Sequence, residues 1–156
     1  MKKILNYIDG KLSEPQSGQW IDNIDPARGQ VYSLIPDSDK PDVEAAVAAA
    51  KKAFPAWAAT SIEERARLLA CIADLIDEKS DALALAESID NGKPLSLAKA
   101  VDIPRGSANF RYFSRAITQF HSETYDMGTA GFNYTLRRPL GVAGCISPWN
   151  LPLYLF

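Results

Sequence analysis

The chain has 156 residues, a formal net charge of -2, 47% hydrophobic and 23% charged residues, which is the make-up of an ordinary soluble domain and not of a disordered tail. Lys plus Arg (17) nearly balance Asp plus Glu (19), so there is no electrostatic footprint for nucleic acid or an anionic membrane surface. Cys71, Cys145 and the lone His121 have no metal-ligand spacing, and no segment has the length of a signal peptide or membrane span. A cytoplasmic setting with reduced thiols is the expectation.

The first 36 residues predict two hairpins. Asp9-Gly10, between Tyr7-Ile8 and Lys11-Leu12, supplies the positive φ values of a two-residue turn. Asp25-Pro26-Ala27-Arg28-Gly29 separates Trp20-Ile21 from the run Val31 to Ile35 in the same way, and both hairpins are expected along the edge of a larger sheet.

Helical periodicity starts after Asp39, with Pro41 in the first turn and Val43, Val47, Ala50 and Phe54 on one face up to Pro55, where the helix is expected to stop. Ser61-Ile62-Glu63-Glu64 reads as a capping box for a second helix with Leu68, Leu69, Ile72, Leu75 and Ile76 as its buried stripe. Cys71 beside that stripe reads as a core or boundary residue rather than a reactive thiol. A third helix with Leu83, Ala86 and Ile89 should end at Asn91-Gly92, and Lys93-Pro94 should open the next. Pro104 then predicts a kink, followed by an apolar face of Ala108, Tyr112, Phe113, Ala116, Ile117 and Phe120.

From Glu123 the period changes from helical to alternating. Phe132, Tyr134 and Leu136 against Asn133, Thr135 and Arg137 predict an antiparallel strand, with Gly128 and Gly131 marking the turn back to Thr124-Tyr125. The all-apolar Val142-Ala143-Gly144-Cys145-Ile146 reads as a strand covered on both faces, as in a parallel sheet. After Ser147-Pro148-Trp149-Asn150 the sequence runs into the apolar Leu151 to Phe156, which has no visible partner.

The stretch from Arg138 to Leu153, containing Gly141-Val142-Ala143-Gly144-Cys145-Ile146-Ser147-Pro148-Trp149-Asn150, closely resembles a signature of the aldehyde dehydrogenase superfamily. Asp25-Pro26 with Gly29, the Val43 to Trp57 helix, Glu64-Arg65 and Asp90-Asn91-Gly92-Lys93-Pro94 follow the same family order. Within the family, Val101 to Arg105, Asn109 to Phe113 and Cys145 to Leu155 resemble the branch acting on hydroxymuconic and aminomuconic semialdehydes.

The resemblance implies an α/β fold: residues 1–120 as amino-terminal hairpins and helices of a Rossmann-like NAD-binding domain, 121–139 as an antiparallel oligomerisation hairpin of a homo-oligomer, and 140–156 as the first parallel strand with its active-site loop. It implies oxidation of an aldehyde to an acid with NAD, NADP being equally compatible, through a cysteine thiolate and a glutamate base. The positions expected for both fall after Phe156, so the fragment alone is expected to be inactive. Cys145 is not that nucleophile.

On the same resemblance Asn150 is the oxyanion donor, the alternative being a turn asparagine bonded to its own backbone. Ile146, Ser147, Pro148 and Trp149 line the nicotinamide-ribose side, with a core role open for Trp149. Arg105 is the candidate reader of a substrate carboxylate, against a surface pair with Asp102, and Arg111 stands second. A non-catalytic interaction module, or a truncated product assembling through the hairpin, remains the other class of function.

Overall fold

The computed structural model describes residues 1–155. Strands β1 (Lys2–Lys3), β2 (Asn6–Ile8), β3 (Lys11–Ser13), β4 (Trp20–Asp25) and β5 (Gln30–Pro36) precede helices α1 (Lys40–Ala58), α2 (Ile62–Glu78) and α3 (Ser80–Asn91). A short turn α4 (Leu95–Leu97) and a π-turn at Ala98–Asp102 lead into α5 (Ile103–Ala116), and strands β6 (Thr124–Asp126) and β7 (Phe132–Tyr134) follow. The fold is α/β.

Both amino-terminal hairpins form. Asp9 at φ 52 and Gly10 at φ 76 make the β2–β3 turn, and the buried Asp25 carboxylate accepts from the Ala27 N–H at 2.9 Å to close the β4–β5 turn. β1 pairs in parallel with β5, and β5 antiparallel with β4, giving the order β1-β5-β4.

The N-caps read from the sequence form, but the box at Ser61 is only half made: the Glu64 carboxylate accepts from Arg67 instead of returning to the Ser61 N–H. The Asp42 carboxylate reaches back to the Asp39 N–H at 3.4 Å, and Ser61 Oγ accepts from the Glu64 N–H at 3.1 Å. α1, however, does not stop at Pro55. A proline's missing N–H and its clash fall on the turn before it, whereas its carbonyl still serves the residues after it, and the Ala59 N–H closes on Pro55 O at 3.3 Å. At Pro104 the same defect is absorbed by the widened π-turn, whose longer hydrogen-bond spacing removes the need for the proline N–H.

The core is built from small residues. Ala73, Ala84, Ala98 and Ile103 are at most 1% exposed, with Ile76, Leu83, Phe110 and Leu153 packed around them. α2 and α5 lie together through Ala73 and Ser107, where Ser107 Oγ donates to Ala73 O at 3.3 Å, a close approach that large side chains would prevent. The larger apolar residues expected inside turn outward instead: Val43, Ile72, Leu75, Tyr112, Phe113 and Phe120 are all exposed, as is Cys71. Periodicity identified the helices but placed the buried line of α2 and α5 too far round, because the sequence marks an apolar face and not which neighbour covers it.

The alternating hairpin forms as β6–β7, with register Thr124↔Tyr134, Tyr125↔Asn133 and Asp126↔Phe132. Val142 to Ile146 is not a strand; it is exposed, extended chain. An apolar run becomes a strand only when a neighbour completes its hydrogen-bond ladder, and no described residue does so. The next residues are better placed than their sequence suggested. Leu155 N–H bonds Leu151 O at 3.0 Å in a helical turn, and Leu153 packs on Gly106 and the core around Ile103. Phe156 lies outside the described residues.

Candidate functional site

The site is assembled where α3 ends. Gly92 takes φ 77, and its N–H bonds Ser88 O at 3.0 Å, so the chain turns back on the helix it has just left. Asn91 Oδ1 accepts from the Lys93 N–H at 3.0 Å, and Ser88 Oγ donates to Lys93 O at 2.7 Å. This doubled-back turn directs the Lys93 side chain inward. Its ammonium donates to Glu87 Oε1 at 2.7 Å on α3 and to Asp102 Oδ2 at 2.6 Å on the π-turn.

All three charges are nearly out of water, at 13%, 3% and 7% side-chain exposure for Lys93, Glu87 and Asp102. Burial by itself would lower the Lys93 pKa. The hydrogen bonds and charges of Asp102 and Glu87 outweigh that, so the ammonium is held above its ordinary value and stays protonated.

The third acceptor of Lys93 is the backbone carbonyl of Asn150, at 3.1 Å, and Asn91 Nδ2 reaches the same oxygen at 3.4 Å. Asn150 is therefore held by its main chain while its side chain stays exposed. The four residues before it stand open as well: Ile146 is 99% and Trp149 84% exposed, Pro148 is exposed and Ser147 half-buried. Trp149 is not a core aromatic. Residues 146–150 form a continuous exposed segment tied down at its far end.

Arg105, one residue after Pro104, lies on the neighbouring helix. Its guanidinium stacks over the Tyr154 ring at 4.4 Å and donates to Tyr154 Oη at 2.6 Å. It does not pair with Asp102, which is taken by Lys93. The second candidate, Arg111, is committed elsewhere. Asp74 and then Asp77 on α2 bond its guanidinium, at 2.7 Å and 2.5 Å, and hold its pKa above the ordinary value. Arg111 thus ties α5 to α2.

A second polar cluster joins the sheet to the same turn. Tyr32 Oη donates to Asp90 Oδ1 at 2.7 Å, and Asn23 Nδ2 donates to Tyr32 Oη at 2.9 Å and Asp90 Oδ1 at 3.2 Å. Burial first, and then the Asp90 carboxylate, push the Tyr32 phenol up. An apolar groove of about 830 Å³ runs beside the turn, past Ile4, Leu83, Leu85, Ile89 and Leu153, with Glu87 and Asp90 also on its lining.

Sequence reasoning missed Asn91 and Lys93 as partners of Asn150. In the sequence, Asp90-Asn91-Gly92-Lys93-Pro94 marks a helix stop, the start of the next helix and a stretch of the family resemblance, with nothing that links it to Asn150. The signal available was a lysine at a left-handed turn with Glu87 and Asp102 on either side, at separations that match no helical pairing rule.

The aldehyde dehydrogenase family model matches residues 12–156, nearly the whole chain. This chain belongs to the aldehyde dehydrogenase family. It is 49% identical over 151 residues to 2-aminomuconic semialdehyde dehydrogenase of Homo sapiens, covering 96% of this chain and 31% of the human protein. It is 42% identical to 2-hydroxymuconic semialdehyde dehydrogenase of Pseudomonas sp. (strain CF600), covering 99% of this chain and 33% of that protein. Among solved structures, the NAD-dependent aldehyde dehydrogenase from Sinorhizobium meliloti superimposes with a TM-score of 0.92 at 36% identity, covering 99% of this chain and 32% of that one. The chain thus spans about a third of the length of the curated relatives it matches. No described helix is long and apolar enough to cross a membrane.

The turn that makes the site needs a glycine at 92 twice over, because an added Cβ would meet Pro26 Cγ at 2.8 Å and φ is +77°. Gly92→Ala is expected to destabilise the chain by about 1–3 kcal/mol, measured as a fall in the urea midpoint at unchanged slope.

Proposed function

We propose that this chain supplies the oxyanion donor and part of the cofactor- and substrate-binding surface of an NAD-dependent aldehyde dehydrogenase that oxidises a carboxylated semialdehyde to the acid. The observation that carries the proposal is the way Asn150 is held. Its carbonyl is fixed by Lys93 and Asn91 while its side-chain amide faces outward. When a nucleophile adds to an aldehyde carbon, the carbonyl oxygen gains negative charge, and an amide N–H already placed there stabilises it without reorganising. Such a donor is typically worth about 2.7–4 kcal/mol of barrier.

Ile146, Ser147, Pro148 and Trp149 fit the nicotinamide-ribose side of NAD. They present open apolar surface at Ile146 and Trp149 next to main chain that is not committed to a sheet ladder. NAD, when bound, takes up the hydride. Ile146, Ser147, Pro148 and Trp149 orient it against the substrate. NADP fits this surface equally well.

Arg105 and Tyr154 together suit a carboxylate. Stacking on the ring fixes the guanidinium plane, its remaining N–H groups are free to form a two-point contact, and Tyr154 Oη, which accepts from Arg105, keeps its own proton to donate. The human and Pseudomonas relatives are both named for muconic semialdehydes, which supports an acid group on the substrate. The β6–β7 hairpin supports assembly into a homo-oligomer, because it exposes Tyr125, Met127, Phe132, Tyr134 and Leu136 together. Such assembly also suits the alternative role of an interaction module. Cys71 and Cys145, both free thiols, suit a cytoplasmic enzyme.

In a full-length enzyme carrying this segment, Asn150→Ala is expected to lower kcat by about 10²–10³ with little change in KM for NAD, and an unchanged kcat would refute the oxyanion role. Arg105→Ala should raise KM for a carboxylated semialdehyde far more than for an aliphatic aldehyde in steady-state kinetics; an equal effect on both sinks the carboxylate reading. Phe132→Asp with Leu136→Asp should move the enzyme to a smaller species in sedimentation velocity, and an unchanged species rules out the hairpin as the interface.

A further inference from the structure

We infer that Lys93 is a positioning residue for Asn150: clamped between Glu87 and Asp102, its ammonium holds the Asn150 carbonyl and so sets where the Asn150 amide stands. The inference rests on the oxyanion role proposed for Asn150 and concerns how that donor is kept in place.

An ammonium has three N–H donors, and Lys93 directs them to three oxygens on three parts of the chain: Glu87 on α3, Asp102 on the π-turn and Asn150 on the site loop, at 2.7, 2.6 and 3.1 Å. The two carboxylates fix the head of an otherwise flexible side chain, so the third bond has a rigid origin. Asn91 braces it, with Nδ2 on the same carbonyl and Oδ1 on the Lys93 N–H. The bond acts on the main chain, which leaves the Asn150 amide unbonded to the clamp and available to a substrate.

The loop depends on these bonds. On the amino-terminal side of Asn150, residues 142–146 are exposed and pair with no described strand. On the other side, Leu153 anchors the following turn to Gly106 and Ile103. A displacement of an oxyanion donor by about 1 Å is enough to lose much of its effect, which makes a tether at the residue itself consequential. Arginine is a poor substitute, since its planar fork does not direct donors to three oxygens around a point.

Removing Lys93 alone strands two buried carboxylates and tests folding as much as positioning. The informative variant is Glu87→Gln/Lys93→Met/Asp102→Asn, which keeps the volumes, buries no charge and deletes the bond to Asn150. In hydrogen–deuterium exchange of the 156-residue chain, the Leu155 amide, which bonds Leu151 O in the turn that follows Asn150, is expected to exchange at least about fivefold faster while amides of α2 and α5 keep their protection. Unchanged exchange at Leu155, or an equal rise in α2 and α5, overturns the proposal.

In the full-length enzyme the same variant is expected to lower kcat about tenfold at unchanged KM for NAD, and to cost nothing further when Asn150 is already alanine. Additive losses in that cycle would mean that the clamp does not act through Asn150. If Asn150→Ala is itself harmless, the oxyanion reading fails, while the exchange result still decides whether the tether exists.

Discussion

One buried cation organises this chain. Lys93 sits between two carboxylates from segments that share no local sequence, and bringing three charges out of water is unfavourable unless each finds a partner. The arrangement therefore specifies more than it stabilises. α3, the π-turn and the Asn150 loop must arrive together for the lysine to be satisfied. Glu87 Oε2, buried and without a hydrogen-bond partner among the described residues, shows how closely the charges are enclosed.

Everything around that cation serves to deliver it. The left-handed Gly92 turns the chain, Pro26 packs over the turn from the β4–β5 hairpin, and the Asn23, Tyr32 and Asp90 network fastens sheet to helix. From the other direction, the π-turn before Pro104 sets the angle at which Asp102 meets the lysine and Arg105 meets Tyr154. A proline that would break an ideal helix here lies between Asp102 and Arg105, whose side chains go to different partners.

The thin core follows the same plan. Small residues let α2 and α5 approach closely, and the Arg111 pairs with Asp74 and Asp77 close their outer edge. The larger apolar side chains are left facing outward on α1, α2, α5 and the β6–β7 hairpin.

Much of this was legible beforehand, for reasons that are local. The Asp9-Gly10 turn, the Asp25 turn, the Ser61 cap, the Gly92 stop and the 128–131 turn are each set by the φ preferences or side-chain acceptors of a few adjacent residues, and each formed. The family signature around Pro148-Trp149-Asn150 was legible too, because it is a contiguous string. Tertiary structure alone decided which apolar faces were covered, that Val142 to Ile146 pairs with no described strand, that Arg111 ties α5 to α2, and that Lys93 bonds Asn150. The last two depend on partners 34 and 57 residues away in the chain, and a short window of sequence carries no information about which distant group will meet a charge or complete a strand.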